Sequence, residues 1–166
     1  MVYQLSEGRA DMVALLGGKG AHVSEMARIG IPVPPGFVIT TEASKAFVKS
    51  DQTLPDTLWQ EIVANVALLE KSTGKQFGGS ENPLIVSVRS GAPVSMPGMM
   101  DTILNLGVVD STLQGLTNLM GDRRPSLDAY RRFIQGFGNV VLGLNKDQFE
   151  SLLNEKKRTN NLINDY

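Results

Sequence analysis

Cysteine is absent, so these residues can build no disulfide, no thiolate nucleophile and no Cys-ligated zinc. The single histidine rules out a multi-His metal site. Neither sign of charge dominates: 16 Lys and Arg stand against 17 Asp and Glu, for a net charge of −1. A nucleic-acid partner would favour a basic surplus, so none is expected. No apolar run approaches the roughly 18–20 residues that a membrane span requires. The opening Met-Val-Tyr-Gln-Leu-Ser-Glu-Gly-Arg lacks the basic and apolar regions of a signal peptide, so no membrane partner and a cytoplasmic location are expected. What remains is an ordinary globular composition of 166 residues, 42% hydrophobic and 20% charged, enough for one domain or a domain and a fragment.

Glycine is the residue in excess. Seventeen glycines exceed the usual ~7%, and several fall in two clusters, Gly17-Gly18-Lys19-Gly20 and the stretch Ser90 to Gly107. Glycine serves where backbone adopts unusual dihedrals or approaches a ligand closely, so chemistry is sought in these clusters.

The first 110 residues mix short strands and helices. The Gly-Lys-Gly segment reads as a turn feeding a helix from Ala21, with Val23, Met26 and Ala27 on one face and Gly30 as its stop. Gly36 to Thr40 reads as a strand, and Thr40 or Thr41 caps a helix to about Lys49. Pro55 at the first helical position begins a further helix, which Gly74 ends. Leu84–Arg89 is the strongest strand signal, and Thr102–Gly107 is a second, antiparallel to a neighbour. From Asp110 only helices are expected. Asp110 or Ser111 caps the first, Ser126 the second, and Asn145 with Gln148 resembles a capping box before the third. The compositional shift near residue 110 is the candidate boundary between two regions, 1–110 and 111–166.

Two cations stand out. A glycine-rich turn entering a helix leaves backbone N–H groups unpaired at the positive end of the macrodipole, and Lys19 adds a full charge there. The segment is no Walker A loop, because Val13 replaces its first glycine and Gly20 its Ser/Thr. The plainer reading is a tight turn with a solvated lysine. Arg89 ends an apolar strand, where a planar fork suits phosphate; the alternative is a solubilising charge on an edge strand. The stretch Ala92-Pro-Val-Ser-Met-Pro-Gly-Met-Met-Asp-Thr gathers Met, Pro and Gly in the manner of a loop that closes over substrate. His22, on a helix beside a lysine, reads as structural or solvated. Arg131-Arg132 and Lys156-Lys157-Arg158 read as solvated helix faces, and Tyr130, Phe133 and Phe137 as core.

Three long motifs carry a resemblance: Gly17-Gly-Lys-Gly-Ala-His-Val-Ser-Glu-Met, Gly30-Ile-Pro-Val-Pro-Pro-Gly-Phe-Val-Ile-Thr-Thr-Glu-Ala, and Leu84-Ile-Val-Ser-Val-Arg-Ser-Gly-Ala-Pro-Val-Ser-Met-Pro-Gly-Met-Met-Asp-Thr-Ile-Leu-Asn-Leu-Gly. In this order and spacing they resemble the opening of the pyruvate, phosphate dikinase family, and the similarity runs to at least Phe137. The related water-dependent phosphoenolpyruvate synthase shares the Val-Arg-Ser core. It continues differently from the Gly91 and Met-Pro-Gly-Met-Met sequence found here, which favours the phosphate-dependent enzyme.

The resemblance implies an α+β fold: the N-terminal portion of an ATP-grasp nucleotide domain, with a small mixed sheet and flanking helices over 1–110. Residues 111–166 would begin a helical subdomain. It implies an enzyme converting ATP, pyruvate and phosphate to AMP, phosphoenolpyruvate and diphosphate. By motif, Lys19 and Arg89 would hold the ATP phosphates, and the loop with Gly98, Met100, Asp101 and Thr102 would cover them. Mg2+ would be needed, with ligands outside this chain. So would the family's remaining parts: the second half of the ATP-grasp domain, a phosphohistidine domain and a pyruvate-binding barrel. The intact enzyme could assemble as a homodimer, while the chain by itself would be inactive. A phosphoenolpyruvate synthase, or a non-catalytic nucleotide-binding or assembly module, stands as the alternative.

Overall fold

The computed structural model describes residues 1–91 and 102–162. Ten named elements succeed one another in chain order. The first five are β1 (Val2–Gln4), α1 (Val13–Arg28), β2 (Phe37–Ile39), α2 (Thr41–Lys49) and α3 (Asp56–Thr73). They are followed by β3 (Val86–Arg89), β4 (Thr102–Leu106), α4 (Asp110–Met120), α5 (Arg123–Val140) and α6 (Lys146–Thr159). The chain is therefore mixed α and β. Where one small mixed sheet was expected, the described residues form two separate two-stranded antiparallel sheets, β1–β2 and β3–β4. Contacts divide the chain into two compact units, Met1–Gly74 with Ser90–Met100, and Lys75–Arg89 with Asp101–Tyr166. The compositional shift at residue 110 lies inside the second.

In the first unit, Tyr3 pairs with Val38 at the centre of the β1–β2 ribbon, and α1 lies against it. Leu16, Ala21 and Ser24 of α1 are buried together with Ala43 and Leu58. The helix was expected to start at Ala21. It starts at Val13, because Leu15 and Leu16 are good helix formers, and it is interrupted only at Gly17, whose φ of 70° and ψ of 164° are not helical. Gly18, Lys19 and Gly20 are thus helical and not a turn. Gly20 lies close against β2: a Cβ there would stand 3.0 Å from Val38 Cγ1. Thr40 caps α2, its hydroxyl accepting from Ala43 N–H at 3.3 Å. Pro55 occupies the cap of α3, one position before the one expected, and left-handed Gly74 closes that helix. The Val2 N–H donates to Glu61 Oε2 at 3.0 Å, and Gln4 hydrogen-bonds Asn65, so two turns of α3 hold β1.

In the second unit, β3 and β4 form a ribbon that α5 covers. Leu84, Val108 and Leu116 are buried with Thr112 and Ser126. The start of α4 is fixed by Thr112 and not by Asp110 or Ser111. Its hydroxyl accepts from Val109 N–H at 2.9 Å and donates to the Gly107 carbonyl at 2.9 Å. Ser126 is likewise not the cap of α5. Asp122 accepts from Arg124 N–H at 2.8 Å, and Ser126 sits in the first turn with its hydroxyl on Asp122 O at 3.0 Å. Asn145 caps α6 through Asp147 N–H. Gly138 lets that helix approach, since a Cβ on it would meet Phe149 Cζ at 2.7 Å.

Candidate functional site

The break at Gly17 decides where the first cation stands. Beyond it the helix restarts, with Gly18, Lys19 and Gly20 in its first turn. Amides in a first turn have no intrahelical acceptor, and the positive end of the dipole lies there. Lys19 is half-buried on this turn. The one acidic residue of α1, Glu25, is committed elsewhere: it accepts from Arg28 at 2.6 Å and from Ala10 N–H at 3.2 Å. The hydrogen bonds from Arg28, then that from Ala10, hold its carboxyl below the usual glutamate range. Among the described residues neither Lys19 nor Arg89 enters an ion pair.

Gly17 itself has a neighbour that sequence reasoning missed. A Cβ placed on it would stand 3.0 Å from the carbonyl carbon and 3.1 Å from the Cα of Gly91. Two glycine backbones therefore abut within the first unit, one just ahead of Lys19 and the other at the start of the Met/Pro/Gly stretch. Only the double glycine at 17–18 hinted at it. Its left-handed member could not be identified without the backbone.

In the second unit Arg89 and Thr102 are brought together. They are directly opposite in the β3–β4 ladder, the last pair before the connecting segment, and opposite residues share a face. Arg89 is exposed and Thr102 half-buried. Gly98, Met100 and Asp101 lie outside the described residues. Among those described, no three His, Cys, Asp or Glu side chains gather as a metal centre would require. His22 is exposed on α1.

A further charged cluster lies on α5. Burial opposes ionisation of Asp128, but hydrogen bonds from Arg131 at 2.6 Å and Arg132 at 2.6 Å outweigh it and hold the carboxyl below the aspartate range. The two arginines read from sequence as a solvated face are thus tied to one aspartate. Tyr130, half-buried on the same helix, has its phenol pushed up by burial and by the Asp110 carboxylate.

Residues 13–58 match the family model described as "Pyruvate phosphate dikinase, AMP/ATP-binding domain". The chain is 49% identical over 156 residues to the pyruvate, phosphate dikinase of Entamoeba histolytica, covering 94% of this chain and 18% of that protein. It is 46% identical over 156 residues to that of Clostridium symbiosum, with 94% and 18% covered. To the chloroplastic enzyme 1 of Oryza sativa subsp. japonica it is 49% identical over 160 residues, covering 96% and 17%. The chain thus spans less than a fifth of the length of the relatives it matches. Along nearly its whole length it is similar to pyruvate, phosphate dikinases, and the match to the AMP/ATP-binding-domain model falls within that similarity.

Proposed function

We propose that this chain is the ATP-phosphate-binding portion of a pyruvate, phosphate dikinase. In the whole enzyme ATP, pyruvate and phosphate give AMP, phosphoenolpyruvate and diphosphate, by way of a phosphohistidine outside these residues. An ATP-grasp architecture completed by later sequence accords with this reading. One observation carries it: Lys19 stands, without an ionic partner among the described residues, in the first turn of a helix restarted by a left-handed glycine, inside the matched segment. Lys19 and Arg89 supply positive charge to the phosphates, fixed in place before negative charge moves during transfer. Thr102, paired with Arg89, offers a hydroxyl; Gly98, Met100 and Asp101 are assigned to the same covering segment. The Mg2+ that accompanies a triphosphate is assigned to ligands outside this chain, as are the adenine pocket and the other domains.

Two charge-assisted contacts of about 1.5–3 kcal/mol each, less the cost of ordering the ligand, give an affinity of about millimolar. Titration of the 166-residue chain with ATP, followed by amide chemical shifts, tests this. ATP should bind at about millimolar concentration, adenosine should not, and Lys19→Ala or Arg89→Ala should each weaken ATP binding about tenfold or more. Unchanged affinity in both variants, or binding of adenosine as tight as that of ATP, overturns the assignment.

A further inference from the structure

We propose that Asn105 is a positioning residue: the bulge it closes in β4 is what sets Thr102 directly across from Arg89. The inference rests on reading those two residues as phosphate contacts, and adds a residue that makes no contact of its own with the nucleotide. The register carries the argument. Val86 pairs with Leu106, but Val88 pairs with Ile103 and Arg89 with Thr102, so Leu104 and Asn105 together face the single residue Ser87. Counted straight from Val86–Leu106, an unbulged ladder would put Arg89 opposite Ile103. Thr102 would then point to the other face of the ribbon, because a one-residue slip exchanges the faces. The extra residue corrects this and brings hydroxyl and guanidinium onto one side. Bulges re-aim side chains in this way beside functional sites.

Asn105 is suited to the task on two counts. Its φ is +59°, a left-handed value that asparagine tolerates better than other side-chain-bearing residues. Its Nδ2 also donates to the Ala129 carbonyl of α5 at 3.1 Å, so the bulge is tied to the helix that packs on the ribbon.

The test uses the 166-residue chain and two readouts, cross-strand nuclear Overhauser contacts between Arg89 and Thr102 and the ATP dissociation constant. Asn105→Ala should lose the pairing and weaken ATP binding about threefold or more. Asn105→Gly, which keeps the left-handed conformation but not the tie to Ala129, should recover most of the pairing and of the affinity. If Asn105→Ala fails to fold, Asn105→Asp, which sets an acceptor against the Ala129 carbonyl, should loosen the pairing and weaken ATP binding. Retained pairing in Asn105→Ala, or in its place Asn105→Asp, overturns the inference. So does lost pairing with unchanged ATP affinity when Arg89→Ala weakens binding. If Arg89→Ala leaves affinity unchanged as well, the phosphate reading itself falls, and the inference with it.

Discussion

Gly17→Ala should be among the most damaging single-methyl additions in the first unit. A residue with a Cβ held at φ 70° and ψ 164° sits in a region open essentially to glycine alone, at a cost of about 1–3 kcal/mol. The added methyl would also stand 3.0–3.2 Å from three backbone atoms of Gly91, which cannot rotate away as a side-chain tip would. Overpacking of that kind costs about 1–3 kcal/mol, so the total is about 2–6 kcal/mol, against the roughly 5–15 kcal/mol that holds a domain folded. Two other glycines separate the contributions. Gly30 has φ +83° with nothing within 4 Å of its Cβ position, so Gly30→Ala pays conformational strain alone, about 1–2 kcal/mol. Gly20 is helical, and the ~1 kcal/mol that alanine gains there offsets the displacement of the Val38 side chain, leaving a change near zero. Urea unfolding followed by far-UV circular dichroism, with amide exchange in α1, should rank the losses Gly17, then Gly30, then Gly20. A Gly17→Ala variant no less stable than Gly30→Ala would refute the close backbone approach.

Thr112→Val should cost about 1–3 kcal/mol, because it strands the buried Gly107 carbonyl and the part-buried Val109 N–H, while Thr112→Ser recovers most of the loss; urea midpoints measure both. Asp128 ionises more readily folded than unfolded, so its contribution is present above the unfolded pKa of about 4 and lost as pH falls through the lower folded value. Asp128→Asn should therefore flatten the acid limb of the stability curve below about pH 4, and an unchanged acid limb would contradict the Arg131–Asp128–Arg132 arrangement. Gly115→Ala should destabilise α4 strongly, since its Cβ would fall 2.2 Å from the Ser80 carbonyl oxygen; a thermal midpoint equal to the parent's would show that the 80–81 turn yields.

Much of this was readable beforehand because the signals are local. Thr40 as a cap, Gly74 as a helix stop and Asn145 before α6 all act within one turn of their own position. The misplaced starts share a cause. Asp110 and Ser126 have capping side chains, but the caps were decided by Thr112 reaching back to Val109 and by Asp122 lying one turn ahead of Ser126. Gly17 and Gly20 look alike in the sequence, yet one breaks the helix and the other clears Val38, a distinction made by tertiary neighbours. The pairing of Arg89 with Thr102 was hidden for a similar reason. Two strands of alternating residues announce a ribbon, whereas the extra residue at Leu104–Asn105 that sets its register leaves no trace in composition.

The contact of Gly17 with Gly91 has a consequence for synthesis on the ribosome. The helix broken at Gly17 emerges early, but its seat is encoded after β3, so α1 waits for distant sequence before its bend is locked. Long-range closures of this kind are late and slow compared with helix formation. A variant that loosens this seam should therefore leave the nascent chain's early helices intact and prolong only the last step to the finished first unit.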